Sequence, residues 1–418
     1  MYISPTTQTP ALATGTPAGT LIARQAIVNT MGKVIGHELF NRSRSHCAHT
    51  AASDMMLALT ALSHVGLEEL MGDTLIFVNC THESLGEGHL ALLDPAKVIL
   101  EVPPLGHTAA EEVRTRLPTL TMLHERGFRL AFSHTVLESA YAPWLPLADY
   151  IKLDLSVLPA DQVTVLTKFA LRETSAKLIA EKIETAAQLE LLTSLGVGLF
   201  QGYWLSRPQL VQAKLLLPEQ ASIDQLSHLL RASASHHDLA QWVMQDAVLT
   251  FNLLRLLVTS GVCPVQGPTS IEHAITLLGR HRIACWIGLL QTFHMASEST
   301  PTTARTALLH GRFMQLITQA QHLPQAVSDQ AFLVGVISQL GQLLDISSAS
   351  VISLLQLPSV VTSAVLDNTG YLGALMCLAR SSEQGHSDEL LNAASALGLS
   401  AQQLTEARQQ ALEWARLS

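Results

Sequence analysis

Glutamates, an asparagine, a lysine, a glutamine and an arginine stand at or just beyond the ends of short apolar runs through the first half of this chain. The runs are HELFNR with Glu38 and Arg42, LIFVN with Asn79, VILE with Glu101, RLAFSH with Ser133 and His134, YIKLD with Lys152 and Asp154, LIAEKIE with Glu181 and Glu184, and LFQG with Gln201. Carboxylate and amide oxygens ligate divalent cations, and lysine and arginine hold phosphate, so the row has the groups for metal-assisted phosphate chemistry. One fold brings such a row together: equivalent ends of successive parallel strands converge on one mouth of a β/α barrel, where such barrels keep their chemistry. Ser133-His134 breaks the row, because it supplies no carboxylate.

The elements that must position these residues follow from the spacing. From about Leu21 to Ser206, short β-rich runs alternate with segments of helical periodicity, the pattern of a mainly parallel sheet. The first two runs, LIARQAIV and KVIGHELF, are separated by so few residues that only a hairpin joins them, which predicts eight strands with the first antiparallel to its neighbour. Helices are expected over 54–71, 109–126, 160–172 and 185–195, with Gly127 and Gly196 as their C-terminal caps. The stretch between Asn79 and Val98 is short for a helix and two loops, so one crossover should be abbreviated. After Pro208, leucines recur at three and four, as in Leu226, Leu229 and Leu230, and helical patterns continue to the end. An all-α domain is therefore expected beyond a boundary near 207–218, its first helix opened by a capping box at Ser222 and Gln225. Trp204, Trp242 and Trp286 read most simply as core.

At 418 residues the chain exceeds the size at which one core usually stops growing, in line with two domains. Its 48% hydrophobic and 14% charged residues indicate well-buried cores rather than disorder. A formal charge of -9 argues against a general binder of nucleic acid or of anionic membranes, since both need a basic surface. Five scattered cysteines without a C-x-x-C pair fit a reducing compartment, so a cytoplasmic protein is expected. Residues 1–19, rich in Thr, Pro, Ala and Gly, read as a flexible tail and not a signal peptide, and no apolar stretch is long enough for membrane insertion.

In order, GHELFNR, FVN, ILEV, LAF, IKLD, AEKIE and FQGY resemble the EAL domain of bacterial cyclic di-GMP phosphodiesterases along nearly the whole first half. QDAVLTFNLLRLLVTSG, TSIEHAITLLGRHRI and AFLVGVISQLGQLL resemble the HDOD domain, a relative of the HD phosphohydrolases that usually lacks their metal ligands. The resemblance implies an α/β plus all-α molecule: a tail at 1–19, an EAL-type (β/α)8 TIM-like barrel at 20–207 with an antiparallel first strand, and an all-helical HDOD domain at 208–418. In active EAL enzymes two divalent cations activate the water that attacks the phosphodiester, because the ions neutralise the anion and lower the water's pKa. Carried over by resemblance, Glu38, Asn79 and Glu101 match metal ligands, Lys152 and Glu181 match the residues that handle the water and second metal, Arg42 matches a phosphate contact, and Gln201 lies near the metals.

The departures from that pattern shape the functional expectation. Where the family places two adjacent aspartates and a Phe-Gly-Thr-Gly loop, this chain has Ser133-His134 followed by Thr135-Val136, and the acidic residue expected three places after Glu101 is Pro104. The paired carboxylates are what let two cations sit about 4 Å apart. The expectation is a degenerate, non-catalytic or nearly inactive phosphodiesterase that requires no cofactor. Lys152 and Glu181 are its vestigial catalytic residues, Arg42 and Gln201 bind ligand, and Glu38, Asn79 and Glu101 form at most one residual site for Mg2+ or Mn2+.

Blander readings stand beside these. In one, Lys152 only neutralises Glu181 or Asp154, and His134 is either a hydrogen-bonded rim residue or a stand-in ligand for a metal such as zinc. His46-Cys47-Ala48-His49 invites a metal reading but has no second ligand pair, and Asp238 of His236-His237-Asp238 reads as a helix N-cap. In the second half, Ser338-Gln339 before Leu340-Gly341 replaces the His-Asp of HD hydrolases, which leaves a recognition module. The partners implied are proteins through the HDOD-like helices, cyclic di-GMP in the barrel, and a second copy of the chain. A weak metal-dependent phosphodiesterase and a scaffold that binds no nucleotide are the alternatives.

Overall fold

The computed structural model describes residues 20–41, 74–86, 88–105, 110–213, 218–293, 302–344, 346–384 and 393–417. The sheet begins with a hairpin of β1 (Thr20–Asn29) and β2 (Val34–Asn41), paired antiparallel from Ile22 with Asn41 to Val28 with Val34. Asn29 makes the turn, its Oδ1 accepting from the backbone N–H of Met31 at 3.0 Å and of Lys33 at 2.9 Å. Then follow, each parallel to the one before, β3 (Leu75–Asn79), β4 (Val98–Val102), β5 (Arg129–Ser133), β6 (Ala148–Asp154), β7 (Lys177–Glu181) and β8 (Leu199–Phe200). β1 closes the barrel by pairing with β8 on one side and β2 on the other.

Crossover helices α1 (Ala110–Glu125), α2 (Ala160–Glu173) and α3 (Ala186–Ser194) lie where helical periodicity placed them. Gly127 and Gly196 follow the first and third with φ of +92° and +94°, the left-handed backbone of a helix exit. Between β3 and β4 the crossover is indeed abbreviated, to two 3-10 turns at Ser84–Gly86 and Gly88–Leu92. The helix expected over 54–71 lies outside the described residues, as do the tail at 1–19, Arg42, and the His46 to His49 motif.

The eight expected strands close the barrel, and the sheet carries a ninth beside β1. β9 (Gln209–Ala213) pairs antiparallel with Thr20–Arg24 of β1, and Arg24 secures it by donating from Nε and Nη2 to Gln209 Oε1 at 3.2 and 2.7 Å. The barrel's sheet thus runs six residues past the expected end at 207.

Beyond it the chain is helical: α4 (Gln220–Arg231), α5 (His236–Val243), α6 (Ala247–Thr259), α7 (Ile271–Phe293), α8 (Thr302–Ala320), α9 (Gln325–Leu344), α10 (Ser348–Leu355), α11 (Ser359–Asp367), α12 (Gly370–Gln384) and α13 (Ala401–Leu417). Two cap readings shift. α4 starts at Gln220 with Glu219 at the N-cap position and no side-chain cap bond, and Ser222, inside the first turn, gives its hydroxyl to the buried Asp246 carboxyl. In α5 the N-cap is Ser235, and Asp238 completes a capping box from the third helical position. No single helix among the described residues is long and apolar enough to cross a membrane.

The barrel interior explains where the functional row sits. Ile27, Phe77, Ile99, Ala131, Tyr150, Ile179 and Leu199, one from each of seven strands, pack as one buried cluster. Side chains alternate faces along a strand, so the residue two positions on shares the interior face one layer higher. Counting two toward the mouth from each gives Asn79, Glu101, Ser133, Lys152, Glu181 and Gln201, and on antiparallel β1 it gives Gln25. An apolar plug thus carries a polar layer directly above it.

Candidate functional site at the barrel mouth

That polar layer lines a cavity of about 280 Å3. Its centre is the Lys152 ammonium, buried and within reach of three carboxylates: 3.1 Å from Glu38 Oε2, 2.7 Å from Glu101 Oε2 and 2.6 Å from Glu181 Oε1. Glu38 also accepts from Asn79 Nδ2 at 3.0 Å and from Gln201 Nε2 at 2.8 Å. The structure therefore joins Glu38, Asn79, Glu101, Lys152, Glu181 and Gln201 in one network. Asp154 faces the same cavity but turns its carboxylate to its own loop, where Oδ1 accepts from the Ser156 N–H at 2.8 Å and hydroxyl at 2.6 Å. Of the two partners read for Lys152 alone, Glu181 is one and Asp154 is not. Glu184 is exposed and faces away.

One cation among three buried carboxylates cannot keep all of them ionised at little cost. Burial pushes the Glu38 carboxyl up, but Lys152 and the amides of Gln201 and Asn79 outweigh it and hold Glu38 below its ordinary range. Glu101, fully buried and repelled by Glu38, is pushed up to about 8 despite Lys152. Burial raises Glu181 as well. Burial alone would lower Lys152, but the three carboxylates reverse that and keep it charged. At neutral pH Lys152 cancels one carboxylate charge and the protonated Glu101 removes another.

The fit to a pair of divalent cations is poor. β5 ends in Ser133 and His134, and the Ser133 hydroxyl is bonded to the Thr135 hydroxyl at 2.7 Å. His134 has its basicity lowered by burial and its Nδ1 has no partner. No group of three or more His, Cys, Asp or Glu side chains among the described residues has the arrangement to hold a metal ion. Lys152 takes one oxygen each of Glu38 and Glu101, at 3.1 and 2.7 Å, and so competes with a single Mg2+ or Mn2+ for these carboxylates.

Gln25 was missed in the sequence. It accepts from Gln201 Nε2 at 3.3 Å and donates to the Ser206 carbonyl at 3.1 Å, closing the network on the β1 side. Gln25 stands in the middle of the ten-residue β1, so a search of strand ends passes over it. At the β8 exit, Gly202 lies so close to β7 that a methyl there would meet the Ile183 carbonyl at 2.2 Å. This turn leaves Trp204 56% exposed, contrary to the core reading, while Trp286 is buried and Trp242 is half-buried with its indole N–H on the Ser222 carbonyl at 3.1 Å.

In the helical half, Ser338 and Gln339 stand where HD hydrolases carry their His-Asp pair. Both are buried in α9, and Gln339 Nε2 lies 2.9 Å from His310 Nδ1 of α8. An imidazole thus does stand beside the position, contributed by a neighbouring helix that the local sequence could not reveal.

A family model for the EAL domain matches residues 55–208, and one for the HDOD domain matches residues 218–356. The chain is 24% identical to the cyclic di-GMP phosphodiesterase CdgJ of Vibrio cholerae over 400 residues, 93% of this chain and 91% of that protein. It is likewise 24% identical to the uncharacterized protein YuxH of Bacillus subtilis, over 94% of this chain and 97% of that protein. Among solved structures, the EAL-domain protein YkuI of Bacillus subtilis, in complex with cyclic di-GMP and calcium, is similar at 20% identity with a TM-score of 0.38, over 53% of this chain and 71% of that one.

Proposed function

Because the chain joins an EAL domain to an HDOD domain, we propose that it is a cyclic di-GMP signalling protein whose barrel binds the nucleotide without hydrolysing it. The observation that carries this reading is the end of β5, where Ser133 and His134 leave that wall of the mouth without a carboxylate. An acidic pair there would help hold a second cation, which would supply activation of the attacking water; Ser133 and His134 lack the carboxylates to do so. What remains supports binding. Lys152 is a tethered cation, Gln201, Gln25 and Asn79 offer amide groups, and the protonation of Glu101 at neutral pH lowers the repulsion that a phosphate meets. Binding then requires no Mg2+ or Mn2+.

The output passes to a protein partner through the helical domain, where Val265, Val360, Leu366 and Leu412 are exposed apolar contact points. The name of CdgJ favours a second reading, a slow phosphodiesterase. Calorimetric titration with cyclic di-GMP, with and without Mn2+, together with product analysis, separates the readings. Heat without cation and without product is expected. Turnover of about 1 per second or faster makes the protein an enzyme, and absence of heat in both conditions makes it a scaffold. In a complementary test, the double substitution Ser133→Asp and His134→Asp restores the missing carboxylates. It should raise Mn2+-dependent hydrolysis by about tenfold or more over the wild type.

A further inference from the structure

The abbreviated crossover between β3 and β4 is where the helical domain holds the barrel. It leaves β3 at the mouth, just after Asn79, which is bonded to Glu38, and enters β4 at Val98; further along β4, Glu101 stands beside Asn79 at the mouth, bonded to Lys152. The first crossover residue is tied to that mouth position by the Cys80 N–H on the Glu101 carbonyl at 3.1 Å. Next comes a tight knot in which Thr81 and Ser84 exchange three hydrogen bonds of 2.8 to 3.1 Å. Leu85, Leu90, Leu92 and Leu93 are then fully buried. A segment pinned this way moves as a unit and not as a slack loop.

Its outer side meets α7. Arg282 Nε donates to the Ala91 carbonyl at 3.0 Å, while Nη1 of the same guanidinium donates back to Leu278 at 3.3 Å. At Gly88 a methyl would come within 3.0 Å of Cys285 Sγ, and one at Gly261, just past α6, within 2.8 Å of the Asp94 carboxylate. α7 is broken at Gly279, whose φ of +72° and ψ of 157° are non-helical. The break lets Arg280 grip the Leu230 and Ala234 carbonyls at the end of α4 while Arg282 grips the barrel.

We infer that the β3–β4 crossover couples the barrel mouth to the helical domain, with the Arg282–Ala91 contact as the joint. A shift of Glu101 or Asn79 moves the crossover as a body and changes its fit against α7. By linkage, whatever binds the helical domain biases the mouth in return. This reading places the signal path in the flank where the barrel lacks a crossover helix. Only the nucleotide arm of the test below rests on the proposed function.

Amide hydrogen exchange of the full chain, followed by mass spectrometry over 81–97 and 280–293, tests it. Glu101→Gln, at the mouth end of β4, should change exchange in 280–293 by about threefold or more. Glu181→Gln, which touches the same lysine from β7, should leave that segment unchanged. Adding Arg282→Ala to Glu101→Gln should abolish the distant change, and Arg282→Lys serves if the alanine variant does not fold. An effect of Glu101→Gln confined to the barrel, or an equal effect from Glu181→Gln, overturns the coupling. Cyclic di-GMP that binds the wild type but leaves 280–293 unaltered overturns it too. If the nucleotide does not bind while Glu101→Gln still moves 280–293, the coupling stands and only the nucleotide reading falls.

Discussion

At the scale of residues, the mouth is governed by an imbalance of one buried ammonium against three buried carboxylates. Glu38 is the best satisfied of the three, because two amides add their hydrogen bonds to that of Lys152. Glu101 has no such help, and its Oε1 is left without a partner. This asymmetry makes a pH prediction. An ordinary glutamate titrates near 4.5, whereas the folded Glu101 holds its proton up to about 8. Between those values the folded chain carries a proton that the unfolded chain has released, so folding stability falls as pH rises, and the loss is complete above about 8. Glu101→Gln removes the group. The stability of the variant relative to the wild type should therefore increase with pH across that window, in urea denaturation followed by the fluorescence of the buried Trp144. Parallel curves for the two proteins would show that Glu101 is ionised throughout.

At the scale of elements, what the sequence revealed and what it hid have physical causes. Six mouth residues were legible because strand alternation is local: a polar residue two places beyond an apolar one on the same strand is visible in a short run. Gln25 and β9 were not, since one lies in the middle of a long strand and the other depends on pairing across the chain between Arg24 and Gln209. The start of α4 was misplaced for the same reason, as Ser222 serves a distant buried carboxyl rather than its own helix. Gly279 shows the limit from the other side. In a helical pattern it reads as a tolerated glycine, yet its backbone lies in a region that is essentially closed to other residues. A Cβ there meets nothing within 4 Å, so the cost of a substitution is purely conformational. Gly279→Ala should destabilise the helical domain by about 1–3 kcal/mol. Urea denaturation monitored at Trp286, buried in the same helix, measures this, and a neutral or stabilised variant would mean that α7 straightens without penalty.

At the scale of the molecule, length alone argues for two domains that unfold independently, but the packing argues otherwise. The main apolar cluster runs without interruption from the barrel's outer core, through Leu85, Leu90, Leu92 and Leu93 of the crossover, into Ile283, Trp286 and Ile287 of α7. An interface built this way resembles a core rather than two apposed surfaces, and domains that share a core lose stability together. The full chain should give one calorimetric endotherm. Leu90 stands at the junction with no exposed surface, and Leu90→Ala removes buried methyl groups at a cost of about 2–5 kcal/mol. That cost falls on the contact between halves, so the variant should separate the endotherm into two, the barrel and the helices each melting at its own temperature. Two endotherms in the wild type would show that the halves are thermodynamically separate despite their contact. The crossover would then be a tether between them, and only motion, not stability, would pass from the mouth to α7.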